Sequence, residues 1–195
     1  MVSSRIVSAV VATAFSLAGV AAMAGTANAA TADFPAQAKA AGLTEGQAAA
    51  LQAKAESYLA SLGGKQIAPD KIDLNGEGVV YLAVPGEAKP RNLSGGAAAS
   101  SLAEDPCFVG EHGAADGHFC AYSDPNFTGD AIDAYHCTKY SLPDWGGIGS
   151  WINHQTSGVR AKFYGQSGNL LYTTPAPDSW ERNYNWSPVW SIKPC

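Results

Sequence analysis

The stretch Phe119-Cys120-Ala121-Tyr122-Ser123-Asp124-Pro125-Asn126-Phe127-Thr128-Gly129 decides the fold. Residues 119–122 form a short β-favouring run. Tyr122, Phe127 and Gly129 then make the pattern aromatic-x4-aromatic-x-Gly. Gly129 allows a backbone turn that other residues resist.

Working outward, the surrounding sequence repeats at an offset of 41 residues. Tyr122 maps to Phe163, Trp145 to Trp186 and Ser150 to Ser191, so Trp-x4-Ser recurs, while Ile152 against Lys193 is a mismatch. A repeat of this length means a repeated supersecondary element. Each copy is rich in aromatics, Gly and Pro. Short β-favouring runs occur at 119–122, 150–153, 159–164 and 170–173, and no helical period is sustained. Four short strands per copy fit a Greek key, and two keys fit a sandwich over the 89 residues from Cys107 to Cys195.

The pattern at Tyr122, Phe127 and Gly129 resembles the βγ-crystallin Greek-key signature. That resemblance implies aromatics packed at a hairpin corner and a later Ser bonded back to it, a role for Ser150 and, in the second key, Ser191. More specifically, 119–129, Cys137 and Gly149-Ser150-Trp151-Ile152-Asn153 look like the secreted bacterial peptidase inhibitor family that includes the streptomycete metalloproteinase inhibitor. The resemblance covers about 107–195. It implies a mainly β, βγ-crystallin-like double Greek-key sandwich and a protease as partner.

All four Cys lie in this half. In an exported chain they read as two disulfides, and spacing alone leaves three pairings open. A metal site with Cys137 and His136 lacks the short ligand spacing zinc sites use. The two keys suggest Cys107–Cys120, flanking a Gly-rich stretch that folds into the first key. They also suggest Cys137–Cys195, stapling the terminus to the sheet.

Upstream the composition changes. Arg5, the uncharged run to Ala24 and Ala27-Asn28-Ala29 have the grammar of a secretory signal over 1–29. Residues 34–93 read as a small α+β unit. Thr44-Glu45-Gly46-Gln47 fits a capping box for a helix that Gly63-Gly64 ends. Ile72, Leu74 and the run 79–84 flank turn chemistry at 75–78, which predicts a hairpin. Residues 94–106 are a linker by composition. Two units are therefore expected, with 107–195 alone carrying the activity.

A net charge of −5 disfavours nucleic acid, and no later segment is apolar enough for a membrane span after signal cleavage. Gly149-Ser150-Trp151 is not a nucleophile elbow, and the four His show no metalloprotease pattern. Asp178 and Glu181 could be paired carboxylates but lie in a short Pro-rich segment read as a turn. Windows 145–150 and 186–191, where the crystallin resemblance would place a calcium site, offer no carboxylate or amide at their first two positions. The expectation is a secreted extracellular protein that is not an enzyme and holds no cofactor or metal. Trp151, Trp186 and Trp190 read as core. Trp145 is also read as core, yet it lies on one of two candidate contact loops, 142–149 and 174–183, the second carrying Trp180. The expected function is inhibition of an extracellular metallo- or serine protease through rigid disulfide-braced loops. The alternative is a cell-wall- or polysaccharide-binding or antimicrobial module.

Overall fold

The computed structural model describes residues 32–93, 107–109, 113–143 and 145–195. The expected signal and linker lie outside them. The protein is mainly β. Two helices come first, α1 (Phe34–Ala40) and α2 (Glu45–Leu62). Three short strands follow, β1 (Lys65–Ala68), β2 (Lys71–Asp73) and β3 (Gly78–Tyr81). The C-terminal half contributes β4 (His118–Asp124), β5 (Thr128–Ala134), β6 (Tyr140–Ser141) and β7 (Ile148–His154). It then adds β8 (Lys162–Tyr164), β9 (Leu170–Thr173), β10 (Ser179–Asn185) and β11 (Ser191–Lys193).

Local chemistry explains the helix–hairpin segment. Thr44 Oγ1 accepts from the Gln47 N–H at 3.2 Å, and Gln47 Oε1 accepts from the Thr44 N–H at 3.0 Å. This capping box satisfies two N–H groups that α2 leaves without helical partners. The hairpin turns at Asn75 and Gly76, both at positive φ, as a tight two-residue turn requires.

The strands form two antiparallel sheets. One has the order β1-β2-β3-β5-β4-β7-β10, the other β6-β11-β8-β9. In each C-terminal four-strand unit the fourth strand returns beside the first. The third strand crosses to the other unit's sheet, so β6 pairs with β11 and β10 with β7.

Strands from both expected units, 34–93 and 107–195, join in one sheet. Asp33–Cys195 is one compact body. β3 pairs with β5 in the register Gly78↔Ala134, Val80↔Ile132 and Tyr81↔Ala131. The physical reason is burial. A sixty-residue helix–hairpin is marginal as a domain of its own, and β5 would otherwise be an open edge. Leu51, Ile72, Val80 and Leu82 share one core with Phe119, Ile132, Trp151, Phe163, Trp186 and Ile192. Gly78 permits the close approach. A Cβ there would lie 2.5 Å from the Asp133 carbonyl oxygen and 2.8 Å from the Tyr140 ring.

The internal repeat is real but slips by one residue. Tyr122 pairs with Ser150, and Tyr164, not Phe163, pairs with Ser191. The second copy is one residue shorter between its first and fourth strands. A one-residue slip reverses the face of a side chain. Phe163 is therefore buried in the core, while Tyr164 faces out beneath Lys139 Nζ.

Candidate functional site

Tyr122, Phe127 and Ser150 meet at the β4–β5 turn. The rings of Tyr122 and Phe127 are 5.6 Å apart. Ser150 is fully buried; its Oγ accepts from the Phe127 N–H at 2.8 Å and donates to the Asp124 carbonyl at 2.7 Å. The Tyr122 hydroxyl reaches the carbonyls of Cys107 (2.6 Å) and Gly113 (2.7 Å), and burial pushes its phenol pKa far up. Ser191 pairs with Tyr164 on β8 as Ser150 does with Tyr122 on β4, and it too is buried. Gly129 has φ +78°, and an added Cβ would lie 2.1 Å from Ser123 Oγ. That hydroxyl accepts from the Asp130 N–H at 2.9 Å. Gly129→Val is expected to cost about 2 kcal/mol, from strained φ and the displaced hydroxyl together. A thermal melt matching the parent would remove this account of the corner.

Two disulfides, Cys107–Cys120 and Cys137–Cys195, brace the structure. Asp133 lies close to the first, but the two sulfurs are bonded to each other and offer no thiolate to a metal. His118 Nδ1 contacts Asp133 Oδ1 at 2.7 Å. That bond raises the His118 pKa above its ordinary 6.5, against an opposing effect of burial. A raised folded-state pKa stabilises below about 6.5, and the gain is lost as pH rises through the folded value. Tm is expected to fall as pH climbs above 6.5, with a component missing in His118→Gln. Parallel Tm–pH curves for parent and variant would contradict this.

The second disulfide extends the β6–β11 ladder. From Cys137–Cys195 the ladder runs through Tyr140↔Ile192 and Ser141↔Ser191 to the Leu142 N–H, which donates to the Trp190 carbonyl at 2.9 Å. Beyond this last rung the two chains diverge around a cleft of about 520 Å³. Leu142, Pro143, Trp145, Trp186, Val189 and Trp190 line it, with Ser61, Ser141 and Ser187 among its polar residues. Trp145 is half-buried in its wall. Its Nε1–H donates to Tyr58 Oη at 2.9 Å, and the Tyr58 hydroxyl donates to Asp130 Oδ2 at 2.7 Å. Burial, and then the Asp130 charge, push the Tyr58 pKa well above the usual phenol value. Lys54 Nζ, 2.9 Å from Asp130 Oδ1, completes the network. Helix α2 thus holds one wall of the cleft through Tyr58 and supplies Ser61 to it.

Trp190 departs from its expected core position and is 54% exposed. Its backbone is bonded on both sides, to Tyr164 and Leu142, and the side chain turns outward. Its neighbours Val189 and Ser191 are buried, which is the signal that alternation along a strand could have given. Trp151 and Trp186 are buried as expected.

Trp180 is 51% exposed, and it lies on strand β10 rather than in a loop. β10 is an outer strand with mostly exposed residues, so the apolar alternation that marks a half-buried strand is weak there. Trp180 pairs with Ile152, whereas the loop carrying Trp145 precedes Ile148. The two candidate tryptophans therefore stand near opposite ends of β7, separated by several residues at about 3.4 Å each. Glu181 does not pair with Asp178 as a carboxylate dyad would. Glu181 Oε1 accepts from the Asn183 N–H, and Asp178 Oδ1 lies 3.2 Å from His154 Nε2.

Among the described residues, a β scaffold with two disulfides carries an aromatic-lined cleft. Residues 111–169 match the model of peptidase inhibitor family I36, the family of the streptomycete metalloproteinase inhibitor that the sequence resembles. The match runs from the segment before β4 to the start of β9 and supports a peptidase inhibitor. No curated protein and no solved structure matches the chain.

Proposed function

We propose that the chain is a secreted, non-catalytic proteinase inhibitor that docks an extracellular protease over the cleft of Leu142, Trp145, Trp186 and Trp190. The observation that carries this reading is the braced ladder. A disulfide closes one end of the β6–β11 pair, and the contact residues emerge from the other. Loops ordered before binding avoid much of the entropy loss of association. Half-exposed tryptophan beside a recessed apolar floor is the composition of an interface hot spot. The inhibitor-family match supports a protease as the partner. The signal-like residues 1–29 support export, and among the described residues no helix is long and apolar enough to cross a membrane. The strand exchange between the two four-strand units supports a crystallin-type double Greek key.

The test is titration of the mature chain against secreted metallo- and serine proteases. Stoichiometric inhibition at roughly nanomolar affinity is expected for one class. Trp190→Ala is expected to weaken it about thirtyfold, or about 2 kcal/mol, with Tm nearly unchanged because the side chain is exposed. Excess chelator should leave the inhibitor folded. If no protease in the panel is inhibited, the reading fails and the family match reports fold alone.

A further inference from the structure

Ile192 and Phe163, directly paired on β11 and β8, are fully buried and turn one face of the four-stranded sheet to the core. Side chains alternate along a strand, so Lys193, Lys162 and Tyr164 stand on the other face. Lys162 lies directly opposite Lys193. Their Cβ atoms are therefore about 4.5–5.5 Å apart. Lys139 is exposed, and its Nζ sits 5.5 Å from the centre of the Tyr164 ring. Ala161 prolongs the ladder, its carbonyl accepting from the Thr174 N–H at 2.9 Å. Arg160 before it is exposed and in phase with Lys162. Lys162 Nζ donates to the Cys195 main-chain oxygen at 2.9 Å, which uses one of its three donors. No Asp or Glu occurs on β6, β8, β9 or β11, or in the turn 165–169. Glu77 borders the face at one end, where it shares a small concavity with Lys139.

Lys139, Arg160, Lys162 and Lys193 thus gather on one face of a chain whose net charge is −5. Like charges directly opposite on a sheet are destabilising, so folding alone does not account for Lys162 facing Lys193. An anion laid between the two ammonium groups turns their repulsion into attraction. Lysine is a flexible point charge, suited to carboxylates that arrive in varied directions. The size of the occupant follows from screening. Exposed charges more than about 8 Å apart are largely screened at physiological salt. A thin chain lying on this face meets its cations, whereas a flat bilayer or a nucleic-acid duplex also meets the acidic remainder of the molecule. Recognition of acidic segments by clustered cations is a recurring mode of peptide binding. We propose that the outer face of the four-stranded sheet docks a flexible acidic segment of a partner protein, its carboxylates held by Lys139, Lys162 and Lys193. The proposal rests on the charge pattern of these strands and stands independently of the inhibitory reading of the tryptophan cleft.

The experiment is an NMR titration of the full mature chain with blocked hexaglutamate, its neutral counterpart blocked hexaglutamine, blocked single glutamate, tripolyphosphate, and vesicles of phosphatidylglycerol in phosphatidylcholine. Saturable shifts of the Lys139, Lys162, Tyr164 and Lys193 backbone N–H groups are expected with hexaglutamate. Hexaglutamine and single glutamate should each bind at least about tenfold more weakly. Lys139→Gln combined with Lys193→Gln should weaken hexaglutamate binding about tenfold. That variant keeps the Lys162 bond to Cys195, and unchanged dispersion elsewhere in its spectrum confirms the fold. Its Tm should not fall, because the opposed like charges are gone. Lys65→Gln, on the outermost strand β1 of the other sheet, should leave binding unchanged. No saturable shift, equal binding of hexaglutamine, unchanged affinity in the double variant, or an equal loss in Lys65→Gln overturns the docking face. Single glutamate binding as tightly as hexaglutamate overturns the segment as its occupant. Tighter binding of tripolyphosphate or of the vesicles would assign the face to a phosphate polymer or a lipid surface instead.

Discussion

A chain beginning at Cys107 is expected to be recovered unfolded or aggregated, without inhibitory activity, while the full mature chain melts cooperatively. Truncation strips β3 from β5 and exposes an edge strand that is almost wholly buried in the intact protein. It also removes Leu51, Ile72, Val80 and Leu82 from the shared core. Asp130 loses Lys54 Nζ, the Tyr58 hydroxyl and the Ala83 N–H, which bond its carboxylate at 2.7–2.9 Å. Removing the partners of a buried charge costs about 3 kcal/mol or more, against a total domain stability of about 5–15 kcal/mol. Trp145 would lose Tyr58 and with it the wall of the cleft. Far-UV circular dichroism and NMR dispersion of the truncated chain decide the matter. A well-dispersed spectrum with full inhibition would show that the helices and hairpin are dispensable.

Replacing both Cys137 and Cys195 with Ser is expected to lower stability by about 4 kcal/mol, since the bond closes a long loop. For a chain of this size that is a fall in Tm of roughly 10 °C. Inhibition should also weaken at temperatures where the variant is still folded, because the β6–β11 ladder behind the cleft loses its clamp. Cys107–Cys120 closes a shorter loop and braces a different face, where Tyr81, Tyr122 and Ile152 pack. Its removal should lower Tm with little effect on inhibition measured well below the transition. Equal loss of inhibition in both variants would separate the cleft from the second disulfide.

What could be read in the residues was mostly local. Thr44 and Gln47 announce a helix start, and Asn75-Gly76 a hairpin. Tyr122, Phe127 and Gly129 announce the key because each supplies a conformational or packing need within its own turn. The pairing of Cys137 with Cys195 followed from treating the halves as two keys. What the residues did not announce depends on partners far along the chain. The pairing of Val80 with Ile132 joins strands more than fifty residues apart, and no pattern in either strand names the other. The change in composition near residue 105 suggested a boundary, but tryptophan and cysteine content tracks the aromatic core and the disulfides, not the edge of the sheet. Trp145 and Trp180 both read as contact residues, yet only the fold shows that β7 holds them apart. His154 carried no motif, because its neighbours Asp116 and Asp178 come from two separate loops.

The exchange of third strands has a consequence for survival among proteases. β6 and β10 each belong to the sheet of the opposite four-strand unit, so neither unit can open without breaking hydrogen bonds of the other. Small local openings, which normally offer a protease its first cut, are then confined to loops and ends. Digestion of the body must wait for opening of the whole molecule. Where cleavage is slower than reclosing, lifetime follows the global free energy; with protease in large excess it follows the unfolding rate. A protein that meets proteases at close quarters thereby gains a clock set by its topology.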